Sequence, residues 1–223
     1  MIDFHSHILP GVDDGSKNAE MSAALLQMLQ QQGVTTVVAT PHFYADKDNP
    51  QDFLRRRAEG LANLPETPLQ VLMGAEVAYF DGMSHSDALR DMCVCNTKLL
   101  LVEMPFGVWT DRVVQEVCEI ADQGLQPVLA HVDRYRSQFI RFYPRRLEYD
   151  VLFQFNADAF LDWRNRRWAL AQFDRELVHF IGSDCHNLTT RLPQMDKAAQ
   201  VITKKRGAEA LAALTEFSAD MLK

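Results

Sequence analysis

The sequence predicts an α/β domain whose strands run parallel to one another. Short apolar runs alternate with amphipathic stretches along all 223 residues, and segments such as VVAT and LLLVE are apolar at consecutive positions. Continuous apolar runs are typical of parallel strands that are buried on both faces. The chain has no Gly/Ser-rich linker and no internal repeat, and its length suits one domain. We therefore expect residues 1–223 to form a single α/β unit.

Seven strands are predicted, and helices with one apolar face separate most of them. For the first helix, Ser16 is the expected N-cap and Gly33 the C-terminal stop, while Asn49-Pro50 is typical of a second helix start. A third apolar face includes Val117, and later helices are expected at 163–173, 195–204 and 208–217. The predicted strands are residues 3–7, 35–40, 70–75, 98–103, 127–131, 152–155 and 179–183. Seven such units fit either a closed barrel or an open, doubly wound sheet.

Composition and charge exclude several classes of protein. The chain has 30 acidic and 23 basic residues, a formal net charge of -7, which argues against a general nucleic-acid binder. No apolar run approaches the roughly 18 residues that a membrane-spanning helix needs, and the N-terminus does not resemble a secretory signal peptide. The four cysteines form no C-x-x-C pair. Reduced thiols without an export signal favour a cytoplasmic protein.

Histidines and acidic residues are concentrated where the predicted strands end. Five of the seven histidines and five acids occupy such positions: His5, His7, His42, His131, His186, Asp13, Asp14, Glu76, Glu103 and Asp184. In a βα barrel the carboxyl ends of all strands meet on one face, and imidazole with carboxylate suits Zn, Mn or Fe. The pattern predicts a polynuclear metal centre and favours the barrel. His85 and His179 lie outside the pattern and are interpreted as structural or solvent-facing.

Six ordered blocks carry a resemblance to a known family. They are MIDFHSHILPGVDDGSK, VVATPHF, GAEVAYF, LLVEMPF, VLAHVDRY and GSDCHNLTTR. With these blocks the chain resembles the PHP superfamily of metal-dependent phosphoesterases, and within it the bacterial tyrosine phosphatases of capsule and exopolysaccharide operons. The resemblance implies a distorted (β/α)7 barrel with three divalent metal ions, commonly manganese, with iron or zinc as alternatives.

The resemblance also implies a role for individual residues. The first metal would be held by His5, His7, Glu76 and Asp184; the second by Glu76, Glu103 and His131; the third by Asp14, His42 and His186. Asp13 is an alternative to its neighbour Asp14, because the sequence does not show which one turns inward. Arg134 and Arg191 match the family's phosphate-binding arginines, and a guanidinium can bind two phosphate oxygens at once.

The implied reaction is hydrolysis of phosphotyrosine by a hydroxide that two metals share. The implied partner is the phosphotyrosine-bearing tail of a bacterial tyrosine kinase that controls polysaccharide export. A phenol, with a pKa of about 10, leaves more readily than an alkyl alcohol, which permits this substrate without selecting it. Two alternatives stay open: a phosphatase of a small phosphomonoester such as histidinol phosphate, and a metal-binding regulatory module with little turnover.

A second phosphatase pattern competes with the metal mechanism. Cys185 and Arg191 have the C-x5-R spacing of cysteine-dependent tyrosine phosphatases. The five residues between them include no glycine, and Asp184 and His186 flank the cysteine as expected metal ligands. We therefore expect the metal mechanism and not thiolate attack.

Two peripheral features are candidates for contacts with a substrate. Residues 55–57 and 141–146 are locally basic, and they form either a solvated face or a surface that steers an acidic phosphopeptide. Trp109, Trp163 and Trp168 either line a substrate rim or pack in the barrel wall.

Overall fold

A computed structural model describes residues 1–143, 147 and 151–223. This part of the chain contains nine strands, and every strand pair is parallel. The strands are β1 (Ile2–Ser6), β2 (Thr36–Ala39), β3 (His42–Phe43), β4 (Gln70–Met73), β5 (Glu76–Ala78), β6 (Leu99–Glu103), β7 (Gln126–Leu129), β8 (Leu152–Asn156) and β9 (Phe180–Gly182). Their hydrogen-bonded order is β1-β2-β4 in one sheet and β3-β5-β6-β7-β8-β9 in the other.

The two sheets form a distorted barrel, as the sequence predicts. β3 and β5 continue the lines of β2 and β4 after short breaks at Pro41 and Gly74, so the nine described strands correspond to the seven predicted ones. Proline has no backbone N–H to donate to a neighbouring strand, which explains the first break. The barrel closes where β1 meets the segment after β9: His7 N donates to Cys185 O at 3.0 Å and Asp184 N donates to His5 O at 2.7 Å.

A buried carboxylate joins the two sides of this closure. Asp3 on β1 accepts hydrogen bonds from Ser183 N at 2.7 Å and Ser183 Oγ at 2.6 Å. The pairing of β1 with β2 also shifts between Asp3 and Ser6, so that β1 contains one extra residue there. Such a bulge changes which face the following side chains occupy. The bulge therefore determines on which face of β1 the side chain of His5 lies.

Seven α-helices lie in the described ranges, and the structure corrects the start of two of them. They are α1 (Ala19–Gln31), α2 (Pro50–Ala62), α3 (Asp111–Glu119), α4 (Arg136–Phe142), α5 (Arg166–Phe173), α6 (Met195–Arg206) and α7 (Ala208–Met221). The predicted Ser16 cap is wrong: the extended Asn18 caps α1 by accepting from Met21 N, while Ser16 Oγ donates to Asn18 O. The predicted Asn49-Pro50 start of α2 is confirmed, but α5 begins three residues later than predicted.

Among the described connections between the seven strand lines, one has no α-helix, and this is part of the distortion. Between β5 and β6 the chain forms two 3₁₀ segments, Met83–His85 and Asp87–Met92. Beneath the carboxyl ends of the strands a small apolar cluster fills the barrel, with Phe4 and Phe180 stacked at 3.9 Å between ring centroids. A larger apolar cluster packs between the strands and the helices. No helix in the described residues is both long and apolar enough to cross a membrane.

His179 lies just before β9, away from the histidines at the carboxyl ends of the strands. Its titration makes the stability of the protein depend on pH. Its Nδ1 accepts from Phe153 N at 3.0 Å, and burial lowers its pKa from 6.5 to about 4. Between these values the unfolded chain binds the extra proton, so acid favours unfolding. We expect His179 to reduce the free energy of unfolding by about 2 kcal/mol between pH 7 and pH 5.

The measurement compares urea unfolding of the wild type with that of His179→Asn at both pH values. The asparagine amide oxygen can replace Nδ1 as acceptor but does not titrate, so the variant should lose less stability in acid. Other groups are also protonated in both proteins, and their contribution cancels when the change in the free energy of unfolding of the variant is subtracted from that of the wild type. An identical pH dependence in both proteins would show that His179 is not responsible.

Candidate metal centre

The structure brings all nine predicted metal ligands together at the carboxyl ends of the strands, and Glu76 lies at their centre. Glu76 Oε2 is 3.1 Å from His5 Nε2 and 3.3 Å from His7 Nε2. The same oxygen is 3.0 Å from His42 Nδ1, and Oε1 is 2.8 Å from His131 Nε2. Four imidazoles from three strand ends therefore converge on one carboxylate.

The remaining members surround this centre. Asp184 Oδ1 is 3.4 Å from His7 Nε2 and 3.6 Å from His186 Nδ1. Glu103 Oε1 is 3.4 Å from His131 Nε2. On the outer side, Asp14 Oδ1 lies 3.5 Å from His186 Nε2 and 3.6 Å from His42 Nε2, and its side chain is 66% exposed, unlike the buried Glu76, Glu103 and Asp184.

The donor set fits divalent cations. Four buried side-chain atoms, His42 Nδ1, Glu76 Oε2, His131 Nδ1 and His186 Nε2, make no hydrogen bond of acceptable geometry in the described structure, although His42 Nδ1 and Glu76 Oε2 lie only 3.0 Å apart. Unpartnered buried polar atoms are costly, and a cation coordinated by nitrogen and carboxylate oxygen removes that cost. In three sets the ligand atoms lie within 4.8 Å of one another: His7, Asp14, His42 and His186; His5, His7 and Asp184; His42, Glu76 and Glu103.

These sets overlap with the predicted ones but are not identical to them. The outer set contains the predicted Asp14, His42 and His186, with His7 also within reach. The inner set contains three of the four residues predicted for the first metal. In the last set His42 takes the place predicted for His131, although His131 Nε2 also lies within 3.4 Å of both Glu76 and Glu103.

The electrostatics keep Glu76 and Asp184 ionised despite their burial. Burial by itself raises the pKa of Glu76, but His5 and the hydrogen-bonded imidazoles hold that pKa well below its usual value. Burial likewise opposes ionisation of Asp184, yet His5 and His7 hold its pKa well below the ordinary range. Ionised carboxylates are the form that binds metal ions.

The two adjacent aspartates have different surroundings. Asp13 Oδ2 accepts from His7 Nδ1 at 2.7 Å and from His42 N at 3.0 Å, while Asp13 Oδ1 accepts from Gly15 N at 2.9 Å. Both oxygens of Asp13 are therefore occupied by hydrogen bonds, and Asp13 holds His7 and His42 in place. Asp14 is the one whose carboxylate faces the cluster.

An amide layer beneath the cluster was missed by the sequence reasoning. Gln154 Oε1 lies 3.0 Å from His5 Nδ1 and accepts from His131 N at 2.6 Å. Gln154 Nε2 donates to Asn156 Oδ1, and Asn156 Nδ2 donates to Asp184 Oδ2, both at 3.0 Å. Partners of this kind orient metal-binding side chains. The signal was available, since polar residues at alternate positions of an apolar strand share one face.

Backbone geometry is unusual at two members of the cluster. His131 and Asp184 have φ values of 33° and 52°, a region that residues other than glycine rarely adopt. Residues held in this region often lie at functional sites, because the surrounding contacts must maintain them. Gly182 allows the close approach of β9 to β1: a Cβ atom there would lie 2.5 Å from His5 Cβ.

Arg134 and Arg191 lie at the mouth of the cluster. Arg134 Nη2 donates to Asp184 Oδ2. Arg191 Nη2 donates to the other oxygen, Asp184 Oδ1, at 2.5 Å. Both side chains are partly exposed while the carboxylate between them is buried. Two guanidinium groups therefore face solvent beside the cluster, where an anion can reach them.

Cys185 has the surroundings of a structural residue. Its side chain is fully buried in the main apolar cluster, and burial raises the pKa of its thiol to about 12. Thiolate attack needs an accessible sulfur with a low pKa. The geometry therefore agrees with the expectation that Cys185 is not the nucleophile.

The peripheral features divide into internal contacts and exposed groups. Arg55 pairs with Glu59, Arg56 pairs with Asp48, and Arg57 donates to two backbone carbonyls. These contacts do not support residues 55–57 as a steering surface, and residues 144–146 of the other basic stretch lie outside the described residues. The described tryptophans are Trp109 and Trp168, which are buried, and Trp163, which is exposed.

The chain is similar to several known proteins over almost its whole length. A family model described as capsular polysaccharide synthesis, CpsB/CapC, matches residues 1–222. The tyrosine-protein phosphatase YwqE of Bacillus subtilis (strain 168) is 30% identical over 228 residues, which cover 97% of this chain and 89% of that protein. The tyrosine-protein phosphatase CpsB of Streptococcus pneumoniae is 31% identical over 228 residues, with 94% and 92% covered.

A solved structure extends the likeness to three dimensions. It comes from the crystal structures of YwqE from Bacillus subtilis and CpsB from Streptococcus pneumoniae, described as unique metal-dependent tyrosine phosphatases. Its TM-score to this chain is 0.85 at 28% sequence identity, and the match covers 100% of this chain and 94% of that chain. By its sequence match over nearly the whole length and by its fold, this chain belongs to the CpsB/CapC family.

Proposed function

We propose that this protein is a metal-dependent protein-tyrosine phosphatase. The observation that carries the proposal is the convergence of His5, His7, His42 and His131 on the buried carboxylate of Glu76, with two arginines at the mouth. Such a cluster concentrates metal-ligand atoms, and the two arginines add positive charge, where a phosphate can enter. The relatives named as tyrosine-protein phosphatases match nearly the full chain, which supports phosphotyrosine as the substrate.

We further propose that three divalent metal ions, manganese in the first place and iron or zinc as alternatives, occupy the cluster. When bound, they would supply a water of lowered pKa as nucleophile and positive charge for the phosphoryl oxygens. Glu76 has both oxygens directed at imidazoles and is suited to bridge two ions. The proposed ligands are His5, His7, Asp14, His42, Glu76, Glu103, His131, Asp184 and His186.

The remaining residues of the site bind substrate or position ligands. Only one nitrogen of each guanidinium, in Arg134 and in Arg191, is used in a hydrogen bond within the described structure. The other N–H groups are available to phosphoryl oxygens and can neutralise the charge that develops there. Asp13 orients His7, and Gln154 holds the Nδ1 side of His5 so that Nε2 faces the cluster.

The proposed physiological substrate is the phosphotyrosine-bearing tail of a bacterial tyrosine kinase in capsular polysaccharide synthesis, and the proposed compartment is the cytoplasm. The family description supports the pathway. Asp14 is largely exposed, so the outer side of the cluster opens to solvent. An extended peptide segment can therefore bring a phosphorylated side chain to the site.

Steady-state kinetics on two substrates tests the proposal. The manganese-loaded protein should hydrolyse a phosphotyrosine peptide with kcat/KM at least about tenfold above that for histidinol phosphate, a difference of roughly 1.4 kcal/mol in transition-state binding. A clear advantage for histidinol phosphate would instead assign the site to a small metabolite. A metal-loaded protein that is inert toward both would favour a regulatory module.

A further inference from the structure

We propose that Phe106 recognises the aromatic ring of the substrate and selects aryl over alkyl phosphates. This inference rests on the proposed function and adds a specificity residue to it. Phe106 follows β6 by three residues, in the segment that leaves the cluster at Glu103. Its side chain is 72% exposed, although it is a large apolar ring beside a site of buried charges.

The ring of Phe106 lies at the edge of the cluster. Its centroid is 6.4 Å from the imidazole of His131, and the two rings are nearly parallel, with an interplanar angle of 14°. It also lies 5.7 Å from the ring of Tyr135. Because His131 contacts Glu76 and Glu103, Phe106 presents an exposed aromatic surface adjacent to the proposed metal site.

The backbone just before Phe106 is anchored from below. Tyr135 Oη donates to Met104 O at 2.7 Å, and Trp109 Nε1 donates to Pro105 O at 3.0 Å. Trp109 and Tyr135 are themselves buried, with their ring centroids 5.3 Å apart. The exposure of Phe106 is therefore imposed by a packed support. Because the backbone that carries the ring is anchored, less conformational entropy is lost when a ligand stacks on the ring.

The chemistry of the substrate explains how this ring can discriminate. In an aryl phosphate the ring is joined to phosphorus through a single oxygen, so a phosphate bound between the cluster and the arginines leaves its ring at the rim. Aromatic pairs prefer offset-stacked or edge-to-face contacts with centroids roughly 4.5–7 Å apart. An alkyl phosphate such as phosphoserine has no ring to place against Phe106.

The test measures binding of phenylphosphonate and methylphosphonate, which cannot be hydrolysed, to the manganese-loaded protein by calorimetry. Phe106→Ala should weaken phenylphosphonate on the order of tenfold and leave methylphosphonate within about twofold. Phe106→Tyr should keep most of the affinity. Val108→Ala is the matched control, because Val108 is 70% exposed in the same loop, and it should change neither ligand.

Turnover supplies the second readout. In Phe106→Ala, KM for a phosphotyrosine peptide should rise on the order of tenfold with kcat little changed, since ring binding acts before the chemical step. Equal loss of both phosphonates, or no loss of either, would overturn the role of Phe106 while leaving the phosphatase proposal intact. Wild-type protein that binds phenylphosphonate no better than methylphosphonate would overturn it as well. Selective phosphonate binding without phosphotyrosine turnover would refute the proposed function alone.

Discussion

Removing divalent metal ions should abolish phosphotyrosine hydrolysis, and manganese should restore it. We expect kcat/KM to fall at least about 1,000-fold after chelation, because the nucleophile and much of the charge neutralisation depend on the ions. The carboxylates that remain, Glu76, Glu103 and Asp184 among them, would then repel the phosphate dianion. The measurement is turnover of a phosphotyrosine peptide before chelation, after it and after addition of manganese, with elemental analysis at each stage.

Thermal unfolding provides the control for this experiment. Ions that bind only the native state stabilise it by mass action, so the chelated protein should unfold at a lower temperature and recover with manganese. A folded, metal-free protein that keeps its full activity would refute the metal mechanism. A protein that unfolds on chelation would be compared at a lower temperature, where its fold is retained.

Glu76→Gln should cause the largest loss among single substitutions. The change keeps the shape of the side chain but removes the charge on which four imidazoles converge. We expect kcat/KM to fall by about 1,000-fold or more, together with a lower metal content, because a neutral amide would be a weaker ligand for divalent cations than an ionised carboxylate. Kinetics and elemental analysis on the same preparation check both expectations.

Two variants serve as controls for this prediction. Glu59→Gln makes the same chemical change at an exposed residue that pairs with Arg55 on α2, and it should leave kcat/KM within about twofold, since exposed pairs contribute little. Cys185→Ala removes the thiol of the competing mechanism and should keep most of the activity. Loss of turnover in Cys185→Ala with full turnover in Glu76→Gln would reverse the assignment.

The fold could be predicted from local patterns because the same alternation of an apolar run and an amphipathic stretch recurs along the chain. Continuous apolar runs identified seven strands, and the structure departs from them chiefly where Pro41 and Gly74 interrupt two of the lines. The helix starts show the limit of local reasoning. Ser16 and Asn18 are both good capping residues, and only the folded backbone shows that the Asn18 side chain reaches Met21 N.

Part of the candidate site could also be predicted from the sequence. His5, His7 and Glu76 could be placed together because strand ends of a parallel barrel share one face, whatever the details of packing. Gln154 was missed because an amide in a strand can serve many purposes, and its contact with His5 spans 149 residues of sequence. Phe106 was also missed, because the exposure of its side chain beside the cluster depends on how the surrounding loop folds.

The amino-acid sequence by itself determined the parallel α/β fold and the kinds of side chain at the carboxyl ends of its strands, because strand direction alone brings those ends together. Only the tertiary structure decided which of Asp13 and Asp14 faces the cluster, since that depends on the direction in which one turn leaves β1. It likewise decided that Phe106 is exposed and anchored while Cys185 is buried. These outcomes depend on distances between segments far apart in the chain, which no local pattern specifies.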